Sequence, residues 1–173
     1  MSKEIFLIDS NILIRPHAEY YPFDFAPGFW TQMENCIKNG SIKILDMVEN
    51  EILRGNETDD LKVWMEGLGT ESIDHRRHEI LEKYAEIIQY LGDCNLYKPS
   101  ALTEWSRESV ADPWLIATAA AYDYTLITFE LPSGGMSKRN PNKFAKIPDV
   151  ATVFGVRTQS LYYLMRSLGF KLL

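Results

Sequence analysis

The sequence predicts an α/β fold with a mostly parallel central sheet, and three short segments carry that prediction. EIFLI at 4–8, IKIL at 42–45 and TLI at 125–127 are apolar runs of strand length that alternate with stretches of helical periodicity. Such alternation is the pattern of a parallel sheet covered by helices. At 173 residues, 46% of them hydrophobic, the chain has the size and the apolar content for one domain with a substantial core.

The first run ends at Asp9-Ser10-Asn11, so a buried strand delivers a polar triplet at its carboxyl end, where open α/β sheets place their ligands. Residues 15–28 contain Pro16, Pro22 and Pro27 among aromatics and read as an irregular, packed loop. A helix over 29–38 follows, closed by Asn39-Gly40. After the second run a helix begins near Asp46 and carries Glu51. Residues 56–95 hold two amphipathic patterns, Leu61, Trp64, Met65 and Leu68 and then Ile80 to Leu91, expected as a helical cap or lateral lobe of the same domain.

Pro99-Ser100 starts a further helix with Ser100 as its expected cap, and in ADPWLIATAAA Asp112 is the expected cap of an Ala-rich helix with Pro113 at its first position. The third strand then presents Thr128 and Glu130 at its carboxyl end. Residues 131–144 form a basic loop with Lys138, Arg139 and Lys143. A last short strand is expected within 147–154 and a terminal helix over 160–168.

Composition narrows the function. A net charge of −6 argues against broad, nonspecific nucleic-acid binding, which needs clustered lysine and arginine. No apolar stretch approaches the roughly 18 residues of a membrane span, and MSKEIFLIDSN lacks the long apolar core of a signal peptide, so a cytoplasmic protein without membrane association is expected. Cys36 and Cys94 lack closely spaced partners and are expected free. His75 and His78, in HRRH, reach one metal only if that segment is helical, and a surface position is preferred. Trp30, Trp64, Trp105 and Trp114 are assigned to core packing ahead of base stacking.

Four acids stand at strand ends or early on helices: Asp9, Glu51, Asp112 and Glu130. Singly each has an ordinary alternative, Asp112 as a cap, Glu51 as a solvated helix residue and Glu130 as a loop acid. Converging carboxylates repel one another unless a cation lies among them, and oxygen-only ligands suit Mg²⁺ or Mn²⁺. Such an ion orients and deprotonates water for attack on a phosphodiester, so no protein nucleophile is required. Ser10 and Asn11 are placed to position water or phosphate, and Thr128 to support a carboxylate.

In FLIDSNILI, DMVENEILRG, ADPWLIATAAA and LITFE the chain resembles the PIN-domain nucleases over residues 4–14, 42–55 and 110–130. The later IPDVATVFGV and terminal helix look like a bacterial PIN-like subfamily. The resemblance implies a three-layer α/β/α sandwich with extra helices, Mg²⁺- or Mn²⁺-dependent RNA cleavage, and Asp9, Glu51, Asp112 and Glu130 as metal ligands and catalytic residues. Glu130 stands where aspartate is more usual. A toxin role with a cognate antitoxin and a homodimer is implied in the same way. Arg15, His17, Lys138, Arg139 and Lys143 are then candidate RNA contacts, with a solubilising surface as the plain alternative for the loop cations. Two other functions compete: a non-catalytic interaction protein on the same fold, and a phosphohydrolase of the haloacid-dehalogenase kind. The latter expects a second aspartate at the position of Asn11.

Overall fold

A computed structural model describes residues 3–172. Strand β1 (Phe6–Ile8), β2 (Ile42–Lys43), β3 (Thr125–Ile127) and β4 (Thr158–Gln159) form, among the described residues, an all-parallel four-stranded sheet in the order β2-β1-β3-β4. Phe6 pairs with Ile42 and Leu7 with Lys43. The amides of Leu126 and Thr128 donate to the carbonyls of Arg157 and Gln159 at 2.9 and 3.1 Å, equal steps along both chains that define a parallel pair. Every residue of β1 and β3 is buried, which explains why these strands read as unbroken apolar runs without alternation. This is the α/β class with a parallel central sheet expected from the sequence.

The chain divides into two compact units. The first comprises the described residues up to Asp74, Ile127–Phe129, and those from Gln159 onward. Here β1 runs into α1 (Asn11–Arg15) and then a π-helical turn over Pro16–Tyr20, where an irregular loop was expected. Pro16 lacks an amide for the helical ladder, and the backbone widens until the Tyr21 amide closes on the Pro16 carbonyl at 2.6 Å. Beyond it Phe23 stacks on Trp30 at 4.4 Å between ring centroids, and Trp64 meets Trp30 at 4.9 Å.

Helix α2 (Pro27–Lys38) buries Phe29, Trp30, Met33 and Ile37 and stops at Gly40, whose φ of 79° suits a residue without Cβ. Helix α3 (Asp46–Leu53) follows β2, and α4 (Asp60–Gly67) packs on α3, its start capped by the Asp59 carboxylate on the Leu61 amide at 2.9 Å. Of the two helices expected across 56–95, α4 belongs to this unit. The last helix described lies here too, beginning after Ser160, whose hydroxyl accepts from the Tyr163 amide at 3.2 Å.

The second unit comprises His75–Leu126 and Glu130–Thr158. It holds α5 (His78–Asp93), α6 (Pro99–Trp105), α7 (Asp112–Tyr122) and α8 (Ile147–Val153). Helix α7 buries seven consecutive residues, Pro113 to Ala119, and therefore has no wholly solvated face over that stretch. It packs on α5, with Tyr84 stacked on Trp114 at 3.7 Å. Asp123, in the left-handed region at φ 56°, ends it.

Three local expectations are corrected. Residues 147–153 form α8 and not a strand, because Pro148 and Asp149 occupy a first helical turn, where a missing amide costs nothing and an acid is favoured; the last strand is β4. Lys98, not Ser100, precedes the first turn of α6, and the Ser100 hydroxyl instead donates to the Lys143 carbonyl at 3.2 Å. Asp112 is the first residue of α7, after Ala111 in the cap position. The final helix, α9, spans Leu161–Ser167. Among the described residues no helix is long and apolar enough to cross a membrane.

Candidate functional site

In the first unit the parallel sheet sets Asp9 at the carboxyl end of β1. Its amide donates to the Ile127 carbonyl at 3.0 Å, so the adjacent strand holds its backbone in place. The side chain is only 7% exposed. The Thr128 hydroxyl donates to Oδ2 at 3.3 Å and the Ser10 hydroxyl to Oδ1 at 3.4 Å, both from buried residues. A buried carboxylate is costly unless oxygen or nitrogen partners surround it, and both contacts are longer than a strong O–H···O⁻ bond. The expected trio of Asp9, Ser10 and Thr128 is thus brought together, and carboxylate and hydroxyl oxygens are the ligand type that suits a hard divalent cation.

Other predicted residues of this unit have different surroundings. Asn11 is exposed at the first position of α1, and Glu51 is exposed on α3. The Arg15 guanidinium lies 4.6 Å from the Phe129 ring centre and pairs with Glu19 at 3.1 Å; the hydrogen bond to Glu19 raises its pKa, while the Glu19 carboxyl is lowered by Arg15. His17 packs 5.3 Å from Phe23 and 6.2 Å from Trp30, ring centre to ring centre, which gives it a packing role. Two acids that the sequence reading passed over, Asp46 and Asp74, bring carboxylate oxygens within 4.8 Å of each other. Asp46 is the first residue after a strand-to-helix junction, the same signal that drew attention to Asp9.

In the second unit Asp112 lines a cavity of about 180 Å³ together with Glu104 and Trp105 from α6 and Phe144 and Lys146 from the loop before α8. Glu104 also pairs with Arg107 at 2.9 Å. Glu130 accepts from the Ile147 amide at 2.7 Å and lies 3.8 Å from the Lys146 amine, so this acid secures the start of α8. Lys138 and Arg139 are exposed inside a tight turn closed between Ser137 and Asn140, and Lys143 sits 5.2 Å from the Phe144 ring centre. His78, on the surface, pairs with Glu82 at 3.2 Å. His75 packs its ring against Trp114 at 4.8 Å. Cys36 and Cys94 are free thiols, and burial raises the pKa of the first.

Sequence reasoning missed Glu104, Phe144 and Lys146. For Phe144 and Lys146 the one local signal was an aromatic flanked by lysines in NKFAK, at the end of a loop already marked as basic.

Residues 6–172 match the family described as "Domain of unknown function (DUF4411)". No curated protein matches the sequence significantly. Among solved structures, the chain is similar to one in the crystal structure of VapBC2 from Rickettsia felis bound to a DNA fragment from their promoter. The TM-score is 0.52 and the identity 18%, over 90% of this chain and 98% of that one. At that identity the likeness is one of fold.

Proposed function

This chain belongs to the DUF4411 family, a domain of unknown function, and we propose that it is a ribonuclease of the PIN type, dependent on Mg²⁺ or Mn²⁺. The observation that carries the reading is Asp9, a buried carboxylate at the carboxyl end of a parallel strand with hydroxyls from Ser10 and Thr128 directed at it. Asp9, Glu51, Asp112 and Glu130 enter as ligands by the order of the sequence motifs. Asp9 fits best, for its environment. A divalent cation would supply an activated water and neutralise charge on the scissile phosphate. The chain's own residues do the rest: Thr128 and Ser10 fix the orientation of Asp9, Asn11 offers an amide to water or phosphate, and Lys138, Arg139 and Lys143 attract the RNA backbone.

The fold likeness to a chain of VapBC2 supports a further step, that the protein is the toxin of a toxin–antitoxin pair in the cytoplasm, restrained by a cognate antitoxin and assembled as a homodimer. One observation favours the non-catalytic alternative, the engagement of Glu130 at the start of α8, which competes with a ligand role.

Thermal unfolding with Mg²⁺ or Mn²⁺ titrated in, for wild type and Asp9→Asn, tests the reading without a known substrate. Cation at 100 times its dissociation constant adds about 2.7 kcal/mol to the wild type and nothing to a variant that has lost the site. Cleavage of single-stranded RNA that disappears in Asp9→Asn completes the case. An absence of cation response and cleavage in the wild type returns the interaction-protein reading.

A further inference from the structure

The cavity beside Asp112 has the makings of more than a packing gap. Trp105, 3% exposed, and Ala101 and Ala145, also buried, give it an apolar floor. At its side stands Phe144, 60% exposed, an unusual setting for a large apolar ring. Lys143 places its amine 5.2 Å from that ring, Lys146 lines the cavity, and Glu104 adds a carboxylate acceptor. At about 180 Å³ the space is smaller than the roughly 300–1,000 Å³ of a drug-sized ligand pocket and suits a single ring system.

The rim is held in place. The Lys98 amide donates to the Asn142 carbonyl at 2.8 Å, the Asn142 amide to the Leu96 carbonyl at 2.9 Å, and Ser100 to the Lys143 carbonyl at 3.2 Å. Phe144 is therefore presented by a backbone tied on consecutive residues, so little ordering cost remains when something stacks on it. A flat ring platform, ammonium groups beside it and the two carboxylates of Glu104 and Asp112 are elements that recognise a base, its phosphate and an exocyclic amine. A base inside a duplex cannot lie on such a ring, so the ligand is single-stranded.

We propose that this cavity is a nucleotide subsite for single-stranded RNA next to Asp112, with Phe144 as the stacking platform and Lys143 and Lys146 as phosphate contacts. The proposal rests on the ribonuclease reading above, and extends it from chemistry to substrate grip.

The test uses a single-stranded hexaribonucleotide carrying 2-aminopurine, titrated into the full chain in the presence of chelator so that no turnover occurs. Wild type should bind and quench the fluorescent base. Phe144→Ala should bind about 5-fold or more weakly and lose the quench, Phe144→Leu should behave alike although it keeps the apolar bulk, and Phe144→Trp should retain both. Lys143→Ala and Lys146→Ala should each lower the salt slope of binding by about 0.7. Failure of the wild type to bind, or Phe144→Ala binding within about twofold with its quench intact, overturns the subsite. A separate Mn²⁺ cleavage assay on the wild type separates the two ideas. Phe144-dependent binding without cleavage leaves the subsite standing and sinks the nuclease, whereas cleavage unaffected by Phe144→Ala, with unchanged binding, does the reverse.

Discussion

Replacing Thr128 by valine removes the support given to Asp9, because the two side chains share a shape and valine has a methyl in place of the hydroxyl. That hydroxyl donates to Asp9 Oδ2 at 3.3 Å, and both residues are buried. Hydrogen bonds to charged groups contribute about 1.5–3 kcal/mol net, and a contact this long belongs at the lower end, so the expected loss is about 1.5 kcal/mol. With a urea slope of about 1–3 kcal/mol/M the midpoint should fall by about 0.5–1.5 M. A second consequence concerns the cation: removing a group that orients a ligand typically weakens affinity about 10–100-fold, which appears as a rightward shift of the Mn²⁺ dependence of the melting temperature. The assay is paired urea unfolding and Mn²⁺ titration for wild type and Thr128→Val. An unchanged midpoint together with unchanged Mn²⁺ dependence would show that the hydroxyl does not hold the carboxylate, and the argument for Asp9 would lose its geometric basis.

Alkaline stability offers an independent check on the second unit. Burial, with a smaller contribution from Cys94, pushes the Tyr90 phenol up to about 12, and burial pushes Tyr97 up as well. The unfolded chain gives up these protons near pH 10, before the folded chain does, so stability is full below pH 10 and declines as pH rises toward about 12. Tyr90→Phe should flatten that decline in urea midpoints measured from pH 8 to about 11.5; an equally steep loss would contradict it. Exchanging Lys138 and Arg139 for alanine should weaken RNA binding and reduce its salt slope by about 1.4, with unaltered binding retiring the loop as a phosphate contact.

Legibility in the sequence followed how local each cause was. FLIDSN and TLIT read correctly because burial on both faces leaves continuous apolar runs, and the Ala-rich segment after Asp112 read correctly because Pro113 and the small residues mark a helix start and a close-packed body. The segment IPDVATVF was misread because Val150, Val153 and Phe154 favour strands, while Pro148 and Asp149, which decide the matter, act only in a helical first turn. Ser100 has the right chemistry for a cap, yet its hydroxyl is used 43 residues away on Lys143, a partner no local window contains. The same holds for the site. Asp9 was visible from one strand and Thr128 as a support for some carboxylate from another, but which acid Thr128 reaches, the approach of Asp46 to Asp74, and the company of Asp112 in its cavity are products of tertiary structure.

The contact from Thr128 to Asp9 spans 119 residues of chain. At a ribosomal rate of roughly 5–20 residues per second, Thr128 is added about 6–24 s after Asp9. Throughout that interval the nascent chain carries an aspartate whose surroundings do not yet exist, along with a β1 strand lacking its neighbour β3. An arrangement whose two parts lie 119 residues apart comes into being only after Thr128 has been added. A truncated product ending before residue 128 would carry every acid of the proposed set except Glu130 and still lack the hydroxyl that holds the first of them.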